Sequence, residues 1–224
     1  MRLQAADGHE FGAYVATAST PPKAAVVIVQ EIFGVNSHIR SVADDYASRG
    51  FLAIAPALFD RVERNLQLCY GPEDRKKGLY AATQVGLEAA LKDVDATIRH
   101  AAEKLGDTKV GVVGFCWGGT LAWLAATRLQ AGAAVGYYGG QIYKFAAEKP
   151  SCPVMLHFGE KDAHIPISEI DTIRRHHPST PVFLYDAGHG LNCDQRENYE
   201  PRSAGLARQR TLEFLDQHLH TPLA

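Results

Sequence analysis

The sequence has no long apolar run and no concentration of charge of one sign. Its 23 basic and 25 acidic residues are scattered along the chain and give a net charge of −2. A protein that binds nucleic acid needs a basic surface, so this balance argues against such a partner. The longest aliphatic run, Ala24 to Val29, is far too short to span a bilayer, and Met1 to Tyr14 contains no apolar segment after a basic start. We therefore expect a cytoplasmic protein that does not bind a membrane.

Cysteine is also scarce, and its spacing excludes two kinds of protein. Only four cysteines occur, and no two of them form a C-x-x-C pair: Cys69, Cys116, Cys152 and Cys193. Four cysteines in a chain of 224 residues do not suggest a disulfide scaffold, so we expect free thiols in a reducing compartment. A structural zinc site has no support either. We predict no metal and no other cofactor.

The composition is that of an ordinary globular protein. Hydrophobic side chains make up 46% of the residues and charged ones 21%, which is enough to bury a substantial core. No stretch rich in proline, serine or like charge divides the chain. We therefore predict one domain over residues 1–224.

Short apolar runs alternate with helical patterns along most of the chain. Unalternating β-branched runs such as Val26 to Val29 are typical of strands covered on both faces of a parallel sheet. The others are Phe51 to Ala55, Val110 to Val113, Ala133 to Tyr137, Val154 to Phe158 and Val182 to Tyr185. Helices are predicted at Ser37 to Ser48, Leu79 to Lys104, Thr120 to Gln130, Glu169 to His176 and Ser203 to His218, and an antiparallel edge strand at Glu10 to Thr17. This order predicts an α/β fold with a mostly parallel sheet, helices on both faces, and a ligand crevice at the carboxyl ends of the strands.

The strongest local signal is the segment Gly114-Phe115-Cys116-Trp117-Gly118-Gly119. It follows a predicted strand and precedes a helix, which is the setting of a nucleophile elbow, here with sulfur at its tip. Glycines two residues before and after Cys116 let the strand and the helix approach closely. The following helix N-terminus favours a reactive thiolate. The alternative is a buried cysteine in a tight glycine turn.

Two further residues complete a catalytic pattern. Asp162 follows the strand Val154 to Phe158, and His189 follows the strand Val182 to Tyr185. Nucleophile, acid and histidine therefore appear in the chain order that this kind of elbow uses. His189 would move the proton and Asp162 would orient His189. Taken singly, each residue has an alternative interpretation: a helix cap for Asp162 and a solvated loop residue for His189.

Five segments together resemble the dienelactone hydrolase family, over nearly the whole chain. They are Gln30 to Asn36, the cysteine elbow, Gly136 to Gly139, Gly159 to Asp162, and Gly188-His189. The resemblance implies the α/β-hydrolase fold and a carboxymethylenebutenolidase-like activity. The type enzyme of the family opens dienelactone (4-carboxymethylenebut-2-en-4-olide) to maleylacetate.

The resemblance also implies roles that the fold alone would not assign. Glu31 hydrogen-bonds the Cys116 thiol at rest, and substrate displaces it so that the thiolate forms. The backbone N–H groups of Ile32 and Trp117 form the oxyanion hole. The alternative for Glu31 is a simple salt bridge to Arg40 or Arg49.

The match departs from the type enzymes where the substrate carboxylate is held. Those enzymes use two arginines, and only the first has a match, Arg75, with Tyr80 one place off the expected aromatic spacing. Cys193 occupies the position of the second arginine, four residues after His189, and Gly190 replaces a small hydroxyl residue. We expect Arg196 to supply the missing contact. The candidate substrate-binding residues are Arg75, Tyr80, Tyr138 and Arg196.

The thiol nucleophile limits the substrates further. A thiolate leaves a tetrahedral intermediate more easily than an alkoxide does, so attack on an alkyl ester tends to reverse. An enol lactone escapes this reversal because its leaving group is a stabilised enolate. The leading hypothesis is therefore an enol-lactone hydrolase that acts on a small molecule as a monomer or homodimer. The alternatives are a thiol-dependent esterase or lactonase for another activated ester, and a non-hydrolytic thiol sensor.

Overall fold

An eight-stranded sheet forms the centre of the computed structural model, which describes residues 1–106 and 108–219. The strands within these residues are β1 (Arg2–Gln4), β2 (Glu10–Ala16), β3 (Ala24–Val29), β4 (Phe51–Pro56), β5 (Val110–Phe115), β6 (Ala133–Tyr137), β7 (Val154–Gly159) and β8 (Val182–Tyr185). Their order across the sheet is β1-β2-β4-β3-β5-β6-β7-β8. The pairings from β4 through β8 are all parallel, whereas β1 with β2 and β2 with β4 are antiparallel.

Helices cover the sheet on both faces. They are α1 (Ser37–Ser48), α2 (Pro72–Lys104), α3 (Trp117–Arg128), α4 (Ile167–His176) and α5 (Pro201–Leu219). Every residue of β3, β4, β5 and β7 is buried, and because successive side chains point to opposite faces, both faces must be covered. The predicted α/β architecture with a mostly parallel sheet is therefore confirmed. None of the described helices has the combination of length and apolarity needed to cross a membrane.

Several predicted bounds differ from the structure by up to three residues, and three features differ further. Glu10–Ala16 is antiparallel as predicted, but it is not an edge strand, because the short strand β1 pairs with its outer side. Helix α2 begins at Pro72, seven residues before the predicted start, since Pro72 at the first turn suits a helix N-terminus. The same helix is interrupted at Gly86, whose φ of 67° and ψ of 164° are not helical.

The strand order determines where the candidate site residues meet. The loops after β3, β5, β7 and β8 carry Glu31, Cys116, Asp162 and His189 respectively. In a parallel sheet these loops all leave from the same edge, so residues far apart in sequence converge there. The first half of α2 lies over this edge and closes one side of the cavity described below.

Candidate active site

Cys116 stands on a strained turn between β5 and α3. Its φ of 55° and ψ of −116° lie in a region that residues other than glycine rarely occupy. The neighbouring glycines make this turn possible. A Cβ atom on Gly114 would lie 1.9 Å from the Gly118 carbonyl oxygen, and one on Gly118 would lie 2.4 Å from that of Val29. The sequence therefore forces the cysteine out of the regular strand and onto the edge of the sheet.

The structure brings the predicted cysteine, histidine and aspartate together. His189 Nε2 lies 3.1 Å from Cys116 Sγ, and His189 Nδ1 lies 2.7 Å from Asp162 Oδ2. Asp162 Oδ1 accepts a second hydrogen bond, from the backbone N–H of His164, at 2.8 Å. An ionised carboxylate only accepts hydrogen bonds, so Nδ1 carries a proton and Nε2 faces the sulfur. This arrangement allows the imidazole to take a proton from the thiol.

The electrostatics of His189 favour its charged form. Burial by itself lowers the pKa of His189, but the Cys116 sulfur and the Asp162 carboxylate outweigh burial and raise that pKa to about 10. A cationic imidazole beside the sulfur stabilises a thiolate by direct attraction. The N-terminus of α3, which begins at Trp117, adds partial positive charge at the same place. The site therefore favours transfer of a proton from the thiol to the imidazole.

A cavity of about 440 Å³ opens over the sulfur. Six of the predicted site residues line it: Ile32, Arg75, Cys116, Trp117, His189 and Arg196. The amide of the first residue of a helix has no partner within the helix, so the Trp117 N–H is available to a ligand. Residues of α2 and of the loops after β6 and β7 complete the lining: Leu79, Ala82, Thr83, Gly86, Leu87, Gly140, Gln141, His164 and Ile165, together with Phe33 and Thr120.

Arg196 reaches the cavity because Gly190 leaves room for it. A Cβ atom at Gly190 would lie 2.5 Å from Arg196 Nη1, and the φ of Gly190 is 80°. Arg196 Nη1 donates to Glu31 Oε1 at 3.1 Å, and its guanidinium lies 5.7 Å from the ring centroids of Phe33 and Tyr70. Gly190, which replaces the small hydroxyl residue of the type enzymes, therefore makes room for Arg196. Arg196 in turn takes the place of the arginine that is missing at position 193.

The resting partner predicted for Glu31 differs from the one in the structure. Glu31 Oε1 pairs with Arg196, and the Cys116 sulfur pairs with His189 rather than with Glu31. Arg40 and Arg49, the alternative partners, do not pair with Glu31 either; Arg49 pairs with Asp45. The physical reason is that Glu31 is only 1% exposed, and a buried carboxylate is stabilised far more by a guanidinium than by a neutral thiol.

The two predicted tyrosines do not contact the cavity. Tyr80 is 62% exposed and points away from it, because the lining residues of α2 recur at helical spacing, at Arg75, Leu79 and Ala82. Leu79 occupies the lining position in its place. Tyr138 is fully buried and lies edge-on against the His189 ring, with the ring centroids 5.1 Å apart. Tyr138 therefore packs against the histidine and is not among the residues that line the cavity.

His164 lines the cavity and was not predicted from the sequence. It lies two residues after Asp162, in the loop between β7 and α4, where residues at the carboxyl end of a parallel strand gather. Its Nε2 lies 3.2 Å from Arg75 Nη2. The only available signal was this position in the chain, since a lone loop histidine has no pattern of its own.

One group of potential metal ligands lies beside the site in the described part of the chain. His38, Cys193 and Asp194 offer ligand atoms within 4.8 Å of one another. His38 Nδ1 is already hydrogen-bonded to Asp194 Oδ1 at 3.2 Å. Burial and the nearby Glu31 raise the pKa of the Cys193 thiol to about 12.

Comparison with known proteins identifies the family. Residues 11–219 match the model of the dienelactone hydrolase family. The chain belongs to the dienelactone hydrolase family. Carboxymethylenebutenolidase of Pseudomonas putida is 33% identical over 221 residues, covering 95% of this chain and 94% of that protein. Carboxymethylenebutenolidase 1 of Cupriavidus pinatubonensis is 30% identical over 222 residues, covering 96% and 95%.

Solved structures agree with this membership. A Klebsiella pneumoniae protein named "Putative Dienelactone Hydrolase" superposes with a TM-score of 0.85 at 31% identity, covering 97% of this chain and 98% of that one. The predicted α/β-hydrolase fold is thus confirmed. As a dienelactone hydrolase family member, the protein is an enzyme that hydrolyses carboxylic ester bonds.

We predict that replacing Cys116 by Ala lowers the pKa of His189. The sulfur contributes the largest of the effects that raise this pKa toward about 10, and alanine removes its charge and its hydrogen bond. Titration of the histidine ring signals by NMR measures the change. The signal of the exposed His176 at the end of α4, which does not line the cavity, is the internal reference. An unaltered His189 titration would contradict the predicted coupling.

We predict that Gly190→Ala expels Arg196 from its position. The new Cβ would overlap the guanidinium, and alanine at a φ of 80° is strained, so the free energy of unfolding should fall by about 1–2 kcal/mol. Denaturant unfolding and a crystal structure of the variant measure both effects. Gly205→Ala is the matched control, because Gly205 lies in α5 with open space around it. Arg196 still paired with Glu31 in the Gly190→Ala variant would refute the packing argument.

Proposed function

We propose that this enzyme opens an enol lactone such as dienelactone, with Cys116 as nucleophile, His189 as acid and base, and Asp162 as the residue that orients His189. The observation that carries the proposal is the contact of 3.1 Å between His189 Nε2 and Cys116 Sγ at the floor of a cavity. A nucleophile in contact with an oriented base is the arrangement that acyl transfer requires.

The reaction begins with transfer of the thiol proton from Cys116 to His189 Nε2. The thiolate then attacks the lactone carbonyl carbon, and the electron pair of the C=O bond moves to the oxygen. Backbone N–H groups of Ile32 and Trp117, which both line the cavity, are proposed to stabilise this oxyanion. Glu31 takes part as the partner that fixes Arg196 and not as a holder of the thiol.

Collapse of the tetrahedral intermediate breaks the ring C–O bond. The enolate leaves and receives the proton from His189, while the acyl group stays on sulfur as a thioester. Water then gives a proton to His189 and attacks the thioester, and the thiolate departs and is reprotonated. Acylation removes the charge of the Cys116 sulfur, the largest of the effects that raise the pKa of His189, so the imidazolium becomes a better proton donor when the leaving group needs a proton.

The choice of an enol lactone follows from the nucleophile and from the charges around it. A thiolate expels an enolate readily but an alkoxide poorly. Arg75 and Arg196 both line the cavity. Glu31 pairs with Arg196, and Asp162 pairs with His189, whereas Arg75 has no carboxylate partner among the described residues. The guanidinium of Arg75 therefore favours a lactone that carries a carboxylate.

We further propose that the enzyme acts in the cytoplasm, as a monomer or homodimer. Cys69, Cys116, Cys152 and Cys193 are all free thiols in the structure. A reducing compartment keeps such thiols in that state. A nucleophilic thiol also survives longer where oxidants are scarce.

Replacing Cys116 by Ala is expected to lower kcat/KM for an enol lactone by at least about 10³-fold, because the covalent route is lost. Steady-state hydrolysis of dienelactone, followed by its ultraviolet absorbance, measures the loss. The matched control is Cys152→Ala, a free thiol that lines a separate groove, and it should retain wild-type turnover. A Cys116→Ala variant with an undiminished rate would refute the mechanism.

Replacing Arg75 by Ala is expected to lower kcat/KM for the acidic lactone by about 10-fold and to spare the neutral amide of the same lactone. Arg75 is exposed at the cavity rim, so its loss should not unfold the protein. Lys77→Ala, an exposed α2 cation outside the cavity lining, is the control for general charge effects. Equal loss for both substrates, or no loss for the acid, would contradict a carboxylate-binding role.

A further inference from the structure

His164 connects the catalytic residues with Arg75. Its backbone N–H donates to Asp162 Oδ1 at 2.8 Å, and its ring lies edge-on to the His189 ring at a centroid distance of 5.4 Å. On its other side, His164 Nε2 lies 3.2 Å from Arg75 Nη2. The loop after β7 and the first turns of α2 therefore meet through this one imidazole.

The chemistry of the two groups determines the protonation of His164. A guanidinium only donates hydrogen bonds and stays charged at any ordinary pH. His164 Nε2 must therefore be the acceptor, so the ring is neutral with its proton on Nδ1. Protonation of Nε2 would remove the acceptor and place two cations in contact.

Arg75 and Arg196 are held in two different ways. Arg196 donates to the carboxylate of Glu31, which offsets its charge. For Arg75, His164 is the one side chain in the described part of the chain that its guanidinium contacts by a hydrogen bond or ion pair. A neutral acceptor restricts a long, exposed side chain without neutralising it, so less conformational entropy is lost when an anion binds.

We propose that His164 is a positioning residue for specificity, whose neutral imidazole holds Arg75 ready for the substrate carboxylate. The inference rests on the proposed function, because it assigns the device by which that function would favour an acidic lactone over a neutral one. It also implies that the preference depends on pH. Arg75 loses its partner, and the preference falls, when His164 becomes charged.

The surroundings of His164 favour its neutral form. Burial lowers the pKa of His164, and the positive charges of His189, Arg75 and Arg196 lower it further, while Asp162 acts in the opposite direction. These groups come from α2 and from the loops after β7 and β8, which are the elements that face the ring. The neutral acceptor thus persists at neutral pH, and its loss is expected only on acidification.

The test compares the ratio of kcat/KM for the acidic lactone to that for its neutral amide. Protein concentration and general damage to the catalytic residues cancel in this ratio. His164→Leu removes the acceptor and is expected to lower the ratio about 5- to 10-fold at pH 7.5, the scale of one partly exposed hydrogen bond to a charged group. In Arg75→Ala, adding His164→Leu should lower the ratio no further, because the histidine acts through the arginine.

His164→Gln separates positioning from a merely structural role. The glutamine carbonyl can accept from Arg75 but does not titrate, so this variant should keep the ratio at pH 7.5 and lack the decline expected of the wild type between pH 7.5 and 5. The substrate carboxyl, with a pKa near 4, stays ionised over that range, and any titration of the substrate affects both proteins alike. His176→Gln, at an exposed histidine of α4, is the matched control and should behave as the wild type.

Two failures are distinguishable. If neither lactone is hydrolysed by the wild type, the proposed function is wrong. If both are hydrolysed but the ratio is the same in His164→Leu as in the wild type, or falls again when His164→Leu is added to Arg75→Ala, the positioning role of His164 is overturned. A pH-dependent ratio that persists unaltered in His164→Gln would overturn it as well.

Discussion

The left-handed backbone at Cys116 is the constraint on which the rest of the site depends. A cysteine at a φ of 55° is stable only because α3 approaches both β5 and the end of β3 at distances that no side chain at Gly114 or Gly118 would allow. This close approach aims the sulfur away from the sheet and places it at the N-terminus of α3. Asp162 and His189 lie in the loops after β7 and β8, which end at the same edge of the sheet, so His189 contacts both Asp162 and the sulfur.

Charge in the cavity is organised around two arginines that the fold secures by different means. Arg196 depends on a missing side chain at Gly190 and on the buried carboxylate of Glu31. Arg75 depends on the imidazole of His164. The Arg196–Glu31 pair is nearly neutral, whereas the contact with neutral His164 leaves the full positive charge of Arg75 at the rim of the cavity. Both arginines line the same cavity as Cys116 and His189, so an anionic group of a substrate would be attracted close to the nucleophile.

Much of this organisation could be predicted from the sequence, and the reasons are physical. Unalternating β-branched runs identify the buried strands, and the glycines around Cys116 identify the elbow, because both patterns follow from steric rules that act locally. The order of Cys116, Asp162 and His189 then fixes their convergence. Side-chain partners were harder to predict. Glu31 pairs with Arg196, 165 positions away, and no sequence pattern near either residue indicates that contact.

The interruption of α2 at Gly86 divides a helix that serves both the cavity and the core. Before the break, Arg75, Leu79 and Thr83 line the cavity, while Ala81 and Val85 are buried in the core. After the break, the buried positions continue through Leu91, Val94, Ile98 and Ala101. Replacements at the cavity-lining positions alone would therefore alter which molecules fit, while the catalytic elbow and the sheet stay as they are.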